Sequence, residues 1–234
     1  LAEADNKLGG RVLFESGLKG LSAWKRVSDN RIYEIQQKNN IEIYKESELT
    51  LSHINELGIN NIFLATGSSW RKDGVGRSRR KPVQGLESLQ VLTPEEAIKQ
   101  SPNLSGPIVV YDDEQGYLAG VIADHLSFDE HEVIFITPAS VVSPWTESTL
   151  EQKRIQKALL VSGVNVICNK TIDKAEGSNL NLKCVFTGEI SLLKCSSLVM
   201  VTERIPNTTL YDQLVEQENN TEQGEAKHIQ LIGD

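Results

Sequence analysis

Short apolar runs alternate with amphipathic stretches along most of this chain. Asn61–Gly67 (NIFLATG), Pro107–Tyr111 (PIVVY), Glu132–Thr137 (EVIFIT) and Ser197–Thr202 (SLVMVT) are apolar without a period of two. That pattern marks strands buried on both faces of a parallel sheet. Val164–Cys168 and the apolar segment His228–Asp234 add two further strands. Between these runs the apolar positions recur at helical spacing. Helices are predicted over Ser22–Lys38, with Trp24, Val27, Ile32 and Ile35 toward one face, and over Gly116–Phe128, Glu147–Ser162 and Asn207–Glu216. Thr50 and Ser52 can cap a short helix that stops at Gly58, and Thr93-Pro94-Glu95-Glu96 starts another that runs to about Gln100. Ile41–Tyr44 alternates like a short strand, and Leu180–Val185 and Ile190–Lys194 alternate like an antiparallel meander. Ser68–Gln90 is irregular, and Glu216–Lys227 is a polar, acidic loop.

Strand, turn, helix and strand therefore recur twice, with meander strands in the second half. This predicts an α/β protein of two nucleotide-binding-type units, the first of which resumes at the end of the chain. Its 234 residues, 39% of them hydrophobic, supply apolar material for one large domain or two small ones. A net charge of -8 argues against a nucleic-acid surface, and the basic run Arg77–Lys81 (RSRRK) reads as a solvated loop. No apolar run approaches the ~20 residues that span a bilayer. No secretory signal pattern is present either, so the expected location is cytoplasmic. Cys168, Cys184 and Cys195 are widely spaced and form no C-x-x-C pair, as expected of reduced thiols rather than a metal or iron–sulfur site.

Two turns carry the candidate chemistry. In Leu1–Val12 (LAEADNKLGGRV), Glu3 ends a short apolar entry, and Gly9, Gly10 and Arg11 follow. The second strand of a dinucleotide-binding unit commonly finishes this way, with the carboxylate on the ribose hydroxyls. The first strand of such a unit and its glycine-rich turn lie about 20 residues upstream of that carboxylate, so half of a site is expected here. The second turn reads Asp112-Asp113-Glu114-Gln115-Gly116-Tyr117-Leu118-Ala119-Gly120. Three carboxylates stand where a pyrophosphate would approach bare N–H groups, so no NAD(P)H is expected there. Trp24, Trp70 and Trp145 read as packing residues. His125 and His131 flank a solvated acidic turn, and no serine, cysteine or carboxylate pair shows catalytic spacing. No catalytic residue and no metal ligand is expected in this chain.

The segments LAEADNKLGGRV (1–12), LKGLSAWKRV (18–27), NIFLATGSSWRKDGVGR (61–77), VLTPEEAI (91–98), VVYDDEQGYLAGVIAD (109–124), PWTESTLEQKRIQKAL (144–159), LVMVTERIPNTTLYDQL (198–214) and HIQLIGD (228–234) together resemble the trimethylamine, dimethylamine and histamine dehydrogenases. These belong to the flavoprotein class that includes 2,4-dienoyl-CoA reductase. The resemblance covers essentially the whole chain. It implies two Rossmann-like, FAD/NAD(P)-binding-type three-layer domains, the second nested in the first. Residues 1–75 and 206–234 would form the ADP/FAD-type domain, 76–103 a crossover, and 104–205 the nested NAD(P)-type domain.

By the same resemblance, a full-length member oxidises an N-methylated or primary amine through FMN and an iron–sulfur cluster in an N-terminal barrel that this chain lacks. It passes electrons to an acceptor protein and forms a homo-oligomer. The segment here would hold ADP, or FAD in relatives, as a scaffold. Glu3 resembles the ribose ligand, Gly10 and Arg11 the turn beside it, and Leu49 the residue whose backbone meets the adenine. Thr66 and Gly67 resemble the turn near the pyrophosphate, and Gly233 and Asp234 the start of the closing motif. An NAD(P)H-dependent flavin reductase and a stand-alone nucleotide-binding or interaction module are the alternatives. Lys19 stands where the family usually has proline, and Glu203 where it usually has glycine.

Overall fold

The computed structural model describes residues 1–220 and 227–233. The chain divides into one unit made of Leu1–Gly17, Leu21–Ser69 and Ile205–Asp234, and a second made of Leu18–Gly20 and Trp70–Arg204.

The first unit opens with a parallel bridge between Ala2 and Tyr44 in place of a full strand at Ile41–Tyr44. Helix α1 (Arg11–Glu15) and helix α2 (Lys25–Gln36) follow. α2 turns Ser28, not its larger apolar side chains, into the interior, and leaves Trp24 and Val27 exposed. Ser28 is the residue that meets Gly9, where an added Cβ would lie 2.7 Å from its Oγ. Helix α3 (Leu51–Leu57) is capped by Thr50, whose hydroxyl accepts from the His53 N–H, and it stops at Gly58 with φ 61°. Strand β1 (Asn61–Leu64) leads to β2 (Ser68–Trp70).

The second unit is built on β3 (Gln90–Leu92), α4 (Pro94–Gln100), β4 (Ile108–Asp112), α5 (Leu118–Phe128), β5 (Val133–Ile136), α6 (Gln152–Val161) and β6 (Asn165–Ile167). A meander follows: β7 (Lys170–Glu176), β8 (Asn179–Cys184) and β9 (Ile190–Lys194). β10 (Ser197–Val201) and β11 (Arg204–Pro206) lead out, and the first unit resumes with α7 (Thr209–Asn220) and β12 (His228–Leu231). The main sheet has the order β3-β10-β4-β5-β6, all parallel. Every residue of β4, β5 and β10 is buried, which is why their sequences lack alternation. One face of the sheet, with Val109, Tyr111, Ile134 and Ile136, packs on Ile172, Leu180 and Leu182 of the meander. α5 contributes an almost wholly buried helix, and an added Cβ at its Gly120 would lie 2.4 Å from Ile155 of α6.

Several boundaries differ from the sequence expectations. The helix expected over Glu147–Ser162 begins only at Gln152, because Leu150 sits at φ 62° and breaks any earlier turn. β7 is a strand that the polar sequence KTIDKAE does not announce. Gln90–Gln100, inside the expected crossover, gives the sheet its edge strand and helix α4. That helix starts as read: Thr93 Oγ1 accepts from Glu96 N at 3.2 Å, and Glu96 accepts from Thr93 N at 2.8 Å. Thr93→Ala is expected to cost about 1 kcal/mol, seen as a lower urea midpoint at unchanged slope.

In the first unit, β12 pairs in parallel with β1, from Asn61 opposite His228 to Leu64 opposite Leu231. Ile62 and Leu64 point into a small core with Ile54 and Leu214. The other side of β1 leaves Phe63 exposed.

Candidate nucleotide site

The residues singled out in the first unit lie at the carboxyl ends of two parallel pairs. Glu3 directly follows the Ala2–Tyr44 bridge, and Thr66 and Gly67 follow β1. Ligands of open α/β sheets bind beyond these ends. Glu3 is half-buried. Its backbone N–H donates to Tyr44 O at 2.8 Å, and its carbonyl accepts from Ser47 N at 2.8 Å. These bonds bring it beside the segment that leads to Leu49. One carboxylate oxygen, Oε1, accepts from Asp5 N at 3.0 Å and fixes the side chain at the turn. Leu49 packs at the edge of the Ile54–Leu214 core.

Gly10 precedes α1 with φ 48°, and Gly67 has φ 70°. Among the described residues, a Cβ added at either would meet no atom within 4 Å. Both positions therefore offer bare, open backbone in a conformation that favours glycine. Arg11 begins α1, its Nε 3.0 Å from Glu15 Oε1. The arrangement fits the polar half of an adenine nucleotide: a carboxylate for ribose hydroxyls, and two exposed glycine turns with a nearby guanidinium for phosphates.

Thr66 does something else with its side chain. Its hydroxyl donates to Asn207 O at 2.6 Å, Asn207 Nδ2 donates to Thr66 O at 2.9 Å, and Asn207 N donates to Gly67 O at 2.9 Å. Thr66 is thus a clasp for the turn, with Asn207 as its partner. Asn207 is the residue that sequence reasoning passed over; an amide able to donate and accept at once, beside Pro206 at a strand end, was the available signal. Gly233 is exposed with φ 95°. Asp234 lies outside the described residues.

The corresponding turn of the second unit is sealed. Asp113 N and Glu114 N both donate to Val201 O, at 2.9 and 3.0 Å, and Gln115 N donates to Asp112 Oδ1 at 2.7 Å. Three consecutive N–H groups are consumed internally. Ser78 N donates to Asp113 Oδ2 at 2.9 Å, and Arg77 Nε donates to the Glu114 carbonyl at 3.0 Å. Arg204 approaches Glu114 at 3.5 Å. Complete burial pushes the Asp112 carboxyl well above the usual carboxylate range, and burial also raises Asp113. Burial beside Asp113 carries the Tyr111 phenol up to about 12. Burial thus works against the charged form of Asp112. The N–H groups of Asp113, Glu114 and Gln115 are thus engaged within the protein.

The tryptophans divide. Trp70 is buried, donates to Glu95 at 3.1 Å and lies under the Arg204 guanidinium at 4.4 Å. Trp24 and Trp145 are exposed, against expectation, and Trp145 carries Arg77 over its ring at 4.8 Å. Glu203 is accommodated outside the left-handed region, its carbonyl accepting from Arg71 N at 3.0 Å. Among the described residues no group of three or more His, Cys, Asp or Glu is placed to hold a metal ion. Among the same residues no helix is long and apolar enough to cross a membrane.

A parallel β3-β10-β4-β5-β6 sheet, with a second α/β unit interrupted by it in sequence, defines a protein of two Rossmann-like, dinucleotide-binding-type domains. No family model matches the chain. It is 24% identical over 259 residues to dimethylamine dehydrogenase of Hyphomicrobium sp. (strain x), a match that covers 100% of this chain and 35% of that protein. It superimposes on histamine dehydrogenase from Rhizobium sp. 4-9 with a TM-score of 0.94 and 37% identity, over 99% of this chain and 36% of that one. The 6-hydroxypseudooxynicotine amine oxidase of Pseudomonas geniculata N1 gives a TM-score of 0.91 at 30% identity, over 99% and 34%. Over its whole length the chain is similar to part of dimethylamine and histamine dehydrogenases, and it spans about a third of the length of these relatives.

Proposed function

We propose that this chain is the nucleotide-binding scaffold of an amine-oxidising flavoprotein, with a structural ADP in the first unit and no NAD(P)H in the second. The observation that carries this reading is the contrast between the two turns. Gly10 and Gly67 leave open backbone beside Glu3, whereas the N–H groups of Asp113, Glu114 and Gln115 are spent on Val201 and Asp112. Glu3 would accept the ribose hydroxyls. The glycine turns and Arg11 would face the diphosphate, and the Thr66–Asn207 clasp would keep the Gly67 turn in shape. The likeness to amine dehydrogenases supports an upstream barrel with FMN and an iron–sulfur cluster, where an N-methylated or primary amine is oxidised and electrons leave for an acceptor protein. FMN there would supply the redox chemistry; the residues of this chain bind and support. Assembly as a homo-oligomer and a cytoplasmic location belong to the same reading.

Isothermal titration of the full-length gene product tests it. ADP binding is expected, with affinity about tenfold lower for Glu3→Ala, the loss of a charge-assisted contact. NADPH is expected not to bind. The 234-residue chain by itself is expected to bind ADP weakly or not at all, because it spans only about a third of the length of its relatives. Micromolar NADPH binding that disappears when the Gly116–Gly120 turn is altered would overturn the assignment of the second unit.

A further inference from the structure

Trp145 is a large aromatic side chain held in place in water. It is 60% exposed. Its backbone is nevertheless pinned on both sides. Ser143, fully buried with φ 50°, starts the short turn Pro144–Thr146. The Ser143 carbonyl accepts from Thr146 N at 3.0 Å and from Thr146 Oγ1 at 2.7 Å. Trp145 N donates to Gln115 O at 3.2 Å. Over the indole lies the Arg77 guanidinium, at 4.8 Å. Arg77 is fixed in turn: its Nε donates to the Glu114 carbonyl at 3.0 Å. The loop that bears it is closed by Gly76 N on Arg79 O and by Ser78 N on Asp113 Oδ2, both at 2.9 Å. Among the described residues no hydrogen bond or ion pair reaches the two terminal nitrogens of Arg77. Arg80 and Lys81 of the same loop are also exposed, in a chain of net charge -8.

We infer that the Arg77–Trp145 pair is a docking point for a protein partner: the guanidinium takes a carboxylate of an acidic segment, and the indole packs against that segment. Binding energy at protein interfaces concentrates in these two residue types. The hydrogen bond at Nε and the ring beneath it fix the plane of the guanidinium. They leave the edge made by its terminal nitrogens, which matches a carboxylate in bidentate fashion as a lysine could not. Held beforehand, the arginine loses less rotamer entropy when the partner arrives. The carboxylates of this region do not compete for that edge. Glu114 lies 3.5 Å from Arg204, and Asp112 and Asp113 have no exposed surface. Arg80 and Lys81 extend the positive field that draws an acidic segment to the loop. A lipid surface or a nucleic acid is an extended polyanion, against which a chain of charge -8 works. A short acidic segment needs only the cations of this loop. This role is independent of the nucleotide site of the first unit.

The test is titration of the full-length gene product into fluorescently labelled hexaglutamate, followed by anisotropy at low ionic strength. Binding is expected, and Arg77→Met is expected to weaken it about tenfold. Trp145→Ala is expected to cost about fivefold, because the contact and the platform under Arg77 go together, and Trp145→Phe to restore most of that loss. Arg77→Lys keeps the charge and should still bind about fivefold more weakly than wild type. Arg80→Gln, on the same loop, should stay within about twofold. If wild-type protein does not bind the peptide, the docking point is overturned. Equal losses in Arg77→Met and Arg80→Gln would reveal a diffuse basic field and overturn it too, as would an unchanged affinity in Trp145→Ala. Should Trp145→Ala melt early, Arg77→Lys decides: wild-type affinity with lysine means that a point charge suffices and refutes the held edge. Pelleting of the wild type with phosphatidylglycerol vesicles, lost in Arg77→Met, would assign the loop to a lipid surface instead.

Discussion

Asp112→Asn is expected to stabilise the second unit at neutral pH and to flatten its dependence on pH. Asp112 ends β4 with no exposed surface; Gln115 N donates to Oδ1, and Oδ2 has no hydrogen-bond partner. Burial raises its folded pKa well above that of the unfolded chain, with Glu114 and Asp113 adding to the rise. Between the unfolded and folded values the native state holds a proton that the unfolded state has released. Stability therefore falls as pH rises through that window, by about 1.4 kcal/mol per pH unit while one proton is at stake. Below the unfolded value the penalty is absent. Asparagine keeps an oxygen for Gln115 N and cannot ionise, so the fall should disappear and a gain of about 1–3 kcal/mol should be seen at pH 7. Urea unfolding from pH 4 to pH 8 measures it. Parallel profiles for the wild type and Asp112→Asn would show that Asp112 ionises without cost. Asp113, raised in the same direction, should leave a smaller slope in the variant.

Gly85→Ala is expected to destabilise the same unit by about 3 kcal/mol, the sum of a left-handed conformation and a steric clash. Gly85 has φ 80°, and an added Cβ would fall 2.0 Å from the carbonyl oxygen of Ala175. The chains cannot easily part there, because Ala175 N donates to Gln84 O at 2.8 Å and Gln84 bridges Lys174. Gly163→Ala is the control. Its φ is 81°, but nothing lies within 4 Å of the added Cβ, so only the conformational cost of about 1 kcal/mol remains. Equal losses in the two variants, read from urea midpoints, would mean that the β7 contact yields and the close approach is not what Gly85 serves.

Parts of this protein are legible without coordinates. β4, β5 and β10 are buried on both faces, so their apolar runs identify them as parallel-sheet strands by composition alone. The Thr93 and Thr50 caps are local bonds spanning three residues, and local bonds leave local signatures. β7 was not legible, because its burial comes from partners distant in sequence: Ile172 and Ala175 are covered by the Val83 and Leu180 regions, and a bulge between Ile172 and Lys174 breaks the alternation. Which side of α2 faces inward is likewise not legible in its sequence. Ser28 is the α2 residue that meets Gly9, whereas Trp24 and Val27 are exposed.

The candidate site divides along the same line. Glu3, Gly10, Arg11 and Gly67 stand out in the sequence through residue type, because a carboxylate, bare glycines and a guanidinium are the groups that sugar and phosphate call for. Thr66 was placed by sequence, but the direction of its hydroxyl was decided by Asn207, 141 residues away. The second turn shows the limit most clearly. Asp112–Glu114 alone predicts repulsion of a phosphate. Only the folded structure shows that burial raises the Asp112 carboxyl well above the usual carboxylate range and that Val201 O, on a strand distant in sequence, accepts from Asp113 N and Glu114 N. The sequence by itself determined the two-unit α/β plan and its caps, since each depends on neighbours within a few positions. The tertiary structure decided which N–H groups are engaged, which carboxylates are buried and which glycines are crowded, because those depend on segments brought together only by folding.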